Sequence, residues 1–414
     1  MGYKPHPNPV ASEQRGLRHQ TILLIVNPLS SGPRLQSGQM NLWTPEVMDV
    51  TSGPVLLDEL LAQVPDRRAV FLIAPREGLP YIGRTSLLRR RLTRLLGERS
   101  RPSRFLNLRS VVSRIEYRLT ASWLETSLVF YEIARSCFPE HYLRLMKLRL
   151  PPYVKVILSN PFPRSQVTSR LGSSQAVFYG PFRTRAAADQ FEAKFLDLFQ
   201  MRRCHQDLAP APDHPGCIYG EMNMCLRPCQ QVVGREEYAS EVDRVVQFLS
   251  TGGRSLLDTA ARARSRASDE LDFEEAARWH KQIERIEAVL RLRDDLACDL
   301  DRLCGVAVTS SVVAGCVELW FVLQGCWQPP VRLVVEAVGE KAVSLDERLR
   351  AAVSSLVPPK LTNRERQEHL ALLARWYYSS SRDGEWLGFG SPAALPYRKL
   401  VRAVSRAAAN PPIH

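Results

Sequence analysis

Long apolar runs are missing from this chain of 414 residues. Its uninterrupted apolar stretches, Ile22–Val26 among them, stop far short of the roughly 20 residues that cross a bilayer. The same shortness argues against the hydrophobic segment of a secretory signal, so the expected setting is the cytoplasm, with no membrane partner. Lysine is scarce, and nearly all cationic side chains are arginine. No internal repeat of fixed period is visible, and the length suits two to four distinct domains. Cysteine is thinly spread over most of the chain. Cys137, Cys298, Cys304, Cys316 and Cys326 stand among apolar residues and read as small core side chains.

What is present is ordinary in bulk, with 45% hydrophobic and 24% charged residues, as in a globular protein. The net charge of +13 points to a polyanionic partner. Between Arg84 and Arg118 lie 11 arginines against two acids, Glu98 and Glu116. A stripe of that density neutralises several phosphates, which favours nucleic acid over membrane or acidic protein. Arg89, Arg90, Arg94 and Arg99 are the expected DNA contacts. A merely solvated basic surface is the alternative.

Cysteine is concentrated in one place. Cys204, Cys217, Cys225 and Cys229 follow the pattern Cys-x12-Cys-x7-Cys-x3-Cys, so 4 of the 9 cysteines fall within 26 residues of polar, turn-rich sequence. Reduced thiolates at such spacing suit a metal centre. Zinc knuckles usually bring paired cysteines two to four residues apart, and only the last pair here is that close. Wider, uneven spacing wraps more easily around an iron–sulfur cluster. A 4Fe–4S cluster is therefore expected, with zinc as the alternative.

Pattern reading along the chain gives a strand at 21–26, a short helix at 56–64, and a β-hairpin from "RAVFLIA" to "PYIG". A helix follows, capped by Thr85 or Ser86 and running to about Leu96. A strand at 113–119 and a helix at 122–137 come next, then strands in "YVKVIL" and "QAVFYGPF" and a helix at 185–199. Beyond Cys229 the pattern is helical. Phe273, Ala276, Trp279, Ile283 and Ile286 step by three and four along one helix, and a helix at 256–267 precedes it, giving an antiparallel hairpin. That apolar stripe is too long for a lone hairpin to bury and is the expected partner-binding surface; packing against this chain's own C-terminal region is the alternative. Residues 304–338 read as β-rich and the tail as helical.

Taken in order, the "VFL…PYIGR" hairpin, "FYGPF", the cysteine quartet and "LDFEEAARWHKQIERI" resemble the N-terminal half of the UvrC/Cho excinuclease family over roughly residues 60–295. The resemblance implies an α+β, multi-domain protein. Its parts would be an N-terminal extension at 1–55, partly disordered, and a GIY-YIG nuclease-like domain at 56–150, built on a small mixed sheet with flanking helices. A strand–helix connector at 151–200, an iron–sulfur module at 201–232 and a helical hairpin with a UVR motif at 233–295 would follow. An α+β region would occupy 296–414. The hairpin would dock on a UvrB-type helicase subunit, and the function would be nucleotide excision repair within the SOS response. Full-length relatives continue into a second nuclease, and Cys304–Glu336 resembles the start of that continuation.

A GIY-YIG site hydrolyses a phosphodiester with one Mg²⁺ or Mn²⁺, using a tyrosine hydroxyl, an arginine and a metal-binding glutamate. Tyr81 and Arg91 match the tyrosine and arginine, and Arg84 stands at the lysine position. Helical spacing from Leu87, Leu88 and Leu95 independently turns Arg91 towards the body and leaves Arg90 and Arg94 to water. Other positions depart: Phe71 replaces the first tyrosine, Leu95 a later one, Phe130 the glutamate, and Tyr142 the following asparagine. Glu132 lies about 200° around the helix from position 130, where with Glu125 it reads as a solvated edge. The chain is expected to act either as an endonuclease incising on the 3′ side of a lesion or as a non-catalytic adaptor; a zinc-stabilised RNA-binding protein is a third reading.

Overall fold

The structure, a computed structural model, describes residues 40–50, 54–98, 106–172, 175–335, 343–354, 356–357 and 361–409. The strand expected at 21–26 lies outside these residues. No described helix is long and apolar enough to cross a membrane.

The first unit runs β1 (Glu46–Asp49), α1 (Pro54–Gln63), β2 (Ala69–Pro75), β3 (Tyr81–Thr85), α2 (Leu88–Leu96), β4 (Val112–Leu119), α3 (Trp123–Cys137) and α4 (Tyr142–Met146). Its sheet, in the order β1-β4-β2-β3, is antiparallel throughout rather than mixed. It also begins earlier than the expected boundary at 56, because β1 pairs with β4 and Met40 and Leu42 enter the core. Strand alternation divides β2 between two cores: Val70 and Leu72 face α3, while Phe71 and Ile73 face α1 and α2. Ser122 caps α3 by accepting the Glu125 N–H at 3.0 Å. Neither Thr85 nor Ser86 caps α2; its cap position is Leu87, without a side-chain bond.

The second unit comprises β5 (Tyr153–Ile157), β6 (Arg164–Thr168), β7 (Ala176–Gly180), α5 (Arg185–Leu196), α6 (Ile218–Glu221), α7 (Arg235–Ser250), α8 (Arg254–Asp269), α9 (Phe273–Leu290) and β8 (Cys298–Asp299). Residues 151–200 are no mere connector. Their strands form a sheet in the order β6-β5-β7-β8, completed by a strand that follows the helical hairpin. Val154, Val156, Phe191, Phe195, Tyr238, Phe248 and Ile286 share one core beneath it, so the sheet, α5, α7 and the base of the hairpin are a single packed body.

The third unit comprises β9 (Cys304–Ser310), β10 (Cys316–Leu323), β11 (Cys326–Trp327), β12 (Val331–Val334), α10 (Leu345–Ser354), α11 (Asn363–Tyr377), β13 (Glu385–Phe389) and α12 (Tyr397–Ala409). Every position of β10 is buried, because Val317, Leu319 and Phe321 pack towards α12 while Trp320 and Val322 pack towards α11 and α3. β13 interrupts the helical tail that the sequence suggests and pairs with β9. Helix α3 thus lies between the first sheet and the third unit. Tyr131 of α3 and Tyr142 of α4 both donate to Glu368 of α11, at 2.6 and 2.5 Å, and fasten the two units together.

Gly83 shows how tightly the first sheet is built. It stands opposite Phe71, and a Cβ there would meet the Phe71 ring tip at 2.5 Å. Phe71 is fully buried and cannot yield cheaply. Gly83→Ala is expected to lower unfolding stability by about 1–3 kcal/mol, read from denaturant midpoints at unchanged m-value.

Candidate nucleic-acid and metal sites

The hairpin β2–β3 and helix α2 bring Tyr81 and Arg91 together. Arg91 Nη2 donates to the Tyr81 hydroxyl at 2.9 Å, and the Tyr81 ring lies 6.1 Å from that of Phe71. Both residues are half-buried, and Arg91 takes part in no ion pair among the described residues. A guanidinium so placed retains donors for an anion.

Arg84 does not join them. In Tyr81-Ile82-Gly83-Arg84 the strand alternates, so Ile82 packs with the α3 side of the sheet and Arg84 lies 5.3 Å from the Phe130 ring there. Burial and the neighbouring charge of Arg375 hold the Arg84 pKa below its usual value. The expected trio is therefore a pair on one face and a lone cation on the other.

Phe130 is buried in the core shared with the third unit. Glu125 and Glu132, read from spacing as a solvated edge, are both buried as well. Residues 40–43 and the third unit cover the helix faces that a two-layer domain would leave to water. Glu132 accepts the backbone N–H groups of Leu42 and Trp43 at 2.6 and 2.9 Å. Burial raises its pKa, and those two N–H groups oppose the rise. Glu125 accepts from Ala121 N at 2.8 Å and Arg118 at 3.3 Å. Burial pushes it up to about 7 against both. Both carboxylates help hold the unit together, Glu132 through Oε1 alone, since its buried Oε2 has no hydrogen-bond partner among the described residues.

Part of the arginine stripe is already paired with acids. Arg109 grips Asp58 with two nitrogens at 2.8 and 2.7 Å, Arg114 pairs with Glu116 at 2.6 Å, and Arg118 with Glu125. Arg89, Arg90 and Arg94 remain on the exposed side of α2, where Arg89 Nε donates to Val64 O at 2.6 Å. Arg99 lies outside the described residues. The basic face is narrower than the raw count suggests.

The cysteine quartet sits in the loop between α5 and α7. Cys225 and Cys229 are buried, Cys204 is half-buried and Cys217 is exposed. Burial pushes the Cys225 thiol up to about 11, and the other three thiols push the same way, so the four share one locality. They do not converge on a point, however. Among the described residues no three His, Cys, Asp or Glu side chains are set to hold a metal ion. Arg202, fully buried, organises the loop by donating to the carbonyls of Phe162 and Gln206 at 2.8 Å and to Cys204 Sγ at 3.4 Å. The Arg227 N–H approaches Cys225 Sγ at 3.4 Å. Sequence reasoning missed Arg202, whose neighbour Arg203 looks identical in pattern.

The helical stripe divides. Ile286 is fully buried in the second unit's own core, and Trp279 and Ile283 pack partly against it, so Ile286 cannot belong to a free docking face. At the far end Leu271 and Phe273 are 72% and 68% exposed, with Ala276 between the two regimes.

Comparison with known proteins fits this division of the chain. Residues 152–248 match the family described as "UvrC/Cho excinuclease, middle domain", and residues 254–289 match the "UvrB/uvrC motif". The UvrABC system protein C of Lachnospira eligens is 24% identical over 273 residues, covering 65% of this chain and 44% of that protein. That of Caldanaerobacter subterraneus subsp. tengcongensis is 25% identical over 272 residues, with the same two shares, 65% and 44%. That of Ruminiclostridium cellulolyticum is 24% identical over 363 residues, covering 84% and 58%. The chain spans about half the length of these curated relatives. No solved structure matches. The second unit, from its sheet through the cysteine loop to α7, coincides with the matched middle domain, and α8–α9 with the motif, so over these residues the chain is similar to UvrC.

Proposed function

We propose that this protein serves nucleotide excision repair in the cytoplasm as a DNA-binding and partner-binding component, its first unit a GIY-YIG-type domain that binds rather than cuts. The observation that carries this reading is the Phe130 ring packed under Arg84. An aromatic face stands there in place of a metal-binding carboxylate, while Glu125 and one oxygen of Glu132 are engaged elsewhere. Losing a metal ligand removes the main charge stabilisation of phosphodiester cleavage. A second reading, incision on the 3′ side of a lesion, draws support from the Tyr81–Arg91 hydrogen bond, which keeps a hydroxyl and a guanidinium side by side.

The basic face of α2 supplies affinity that falls with salt and depends little on sequence. Replacing Arg89, Arg90 and Arg94 together by Ala is expected to reduce the slope of log K against log salt by about two to three, measured by anisotropy on a lesion-bearing duplex. The same duplex with Mg²⁺ or Mn²⁺ is expected to stay essentially intact. Robust nicking that disappears in Tyr81→Phe would instead establish the incision reading.

The cysteine loop is proposed to hold a 4Fe–4S cluster. Four thiols gathered in one loop, with N–H donors aimed at two of them, support it. Anaerobically purified protein should be brown and contain iron and sulfide. Stoichiometric zinc in a colourless sample would rule the cluster out.

The hairpin tip is proposed to dock on a UvrB-type subunit. Leu271→Asp with Phe273→Asp changes exposed side chains only, so folding should survive while pull-down of that subunit is lost. Undiminished pull-down would sink the assignment.

A further inference from the structure

One cavity belongs to none of these surfaces. It lies where three chain ends meet: the turn after "FYGPF" that leads into α5, the exit of α9, and the exit of α11. Its volume is about 560 Å³, and its polar lining includes Arg183, Arg293, Arg382, Tyr377, Ser379 and Ser380. The three arginines are exposed, and none of them takes part in an ion pair among the described residues. Arg382 stacks over the Tyr377 ring, with its guanidinium carbon 4.8 Å from the centroid, which restricts its orientation. Two acids border the site. Asp294 is turned to the backbone, accepting the Arg183 N–H at 2.6 Å, while Asp295 stands exposed at the rim.

The inventory is lopsided. Three planar guanidinium forks and two serine hydroxyls offer more donors than the bonds they already make, Arg293 with the Tyr179 hydroxyl, Arg382 Nη1 to the Tyr377 carbonyl at 3.5 Å and Ser379 with Ser381 at 3.1 Å, and the cationic charge exceeds the anionic. The complement is a compact dianion or monoanion rich in acceptor oxygens. Guanidinium groups bind phosphate oxygens in pairs, more firmly than lone ammonium groups do. The volume falls within the range of pockets that hold a nucleotide-sized group.

We infer that this cavity binds phosphate, with Arg183, Arg293 and Arg382 supplying charge and Ser379 and Ser380 supplying hydroxyl donors. The phosphate belongs either to a nucleic-acid strand crossing from the second unit to the third or to a free phosphate compound. The site does not depend on the basic face of α2, so it stands or falls separately from the function proposed above.

The test uses the full chain, with Arg183→Gln, Arg293→Gln and Arg382→Gln combined and singly. All three side chains are exposed, so the single variants should fold even if the triple does not. In thermal unfolding at matched ionic strength, inorganic phosphate should stabilise the wild type more than chloride does. That difference should vanish in the triple variant and shrink in each single one. Asp295→Asn should enlarge it. In a parallel arm, anisotropy of a labelled single-stranded oligonucleotide distinguishes the source: about tenfold weaker binding by the triple variant identifies a nucleic-acid phosphate. Unchanged oligonucleotide binding with a lost phosphate response identifies a free phosphate compound. The inference is overturned if the wild type and the arginine variants respond alike to phosphate and bind the oligonucleotide alike.

Discussion

A single buried carboxylate connects the ends of this molecule. Glu368 takes hydrogen bonds from Tyr131 and Tyr142 and from Arg364 of its own helix at 3.2 Å. Burial and that carboxylate push the Tyr142 hydroxyl up to about 12, so it stays protonated and donates. Removing one member of such a network leaves its partners desolvated without compensation, a loss of several kcal/mol. Around it, side chains from α3, α4, β10 and α11 form one continuous core. The first and third units are two sides of that core rather than beads on a string.

This fastening changes what α3 is for. In a free-standing nuclease-like domain one face of the helix would address the substrate. Here Phe130 and Tyr142 meet the rest of the chain instead, and even Glu132 is turned inwards to hold residues 42 and 43. The open chemistry of the first unit is left on the opposite face of its sheet, where Tyr81 and Arg91 meet. The second unit keeps its cysteine loop and the base of its hairpin on a separate core, and residues 152–248 of it match the family model of the middle domain.

Local pattern made part of this legible. The inward turn of Arg91 follows from leucines three and four residues away, and the α3 boundaries follow from Ser122 and Pro139. The opposite placement of Arg84 was equally available from strand alternation, but the motif resemblance grouped it with Tyr81. Ile286 misled because a helix stripe records only that a face is covered; here its own unit covers the base. Glu132 was out of reach because the backbone it holds lies 90 residues away in sequence, and Arg202 because one of the carbonyls it joins to the cysteine loop lies 40 residues away. The strand at Glu385–Phe389, short and carrying Gly388, has no signal of its own and exists because β9 offers it an edge.

The burial of β10 on both faces carries a consequence for synthesis. Its neighbours α11 and α12 emerge from the ribosome only after a further 40 to 80 residues or so. Until then the face of Cys316–Leu323 that carries Val317, Leu319 and Phe321 lacks the helix α12 that covers it. Strands in that condition readily pair with strands of other nascent chains. Yield in a growing cell should therefore depend on translation rate and chaperone supply through this one strand, well before any question of repair arises.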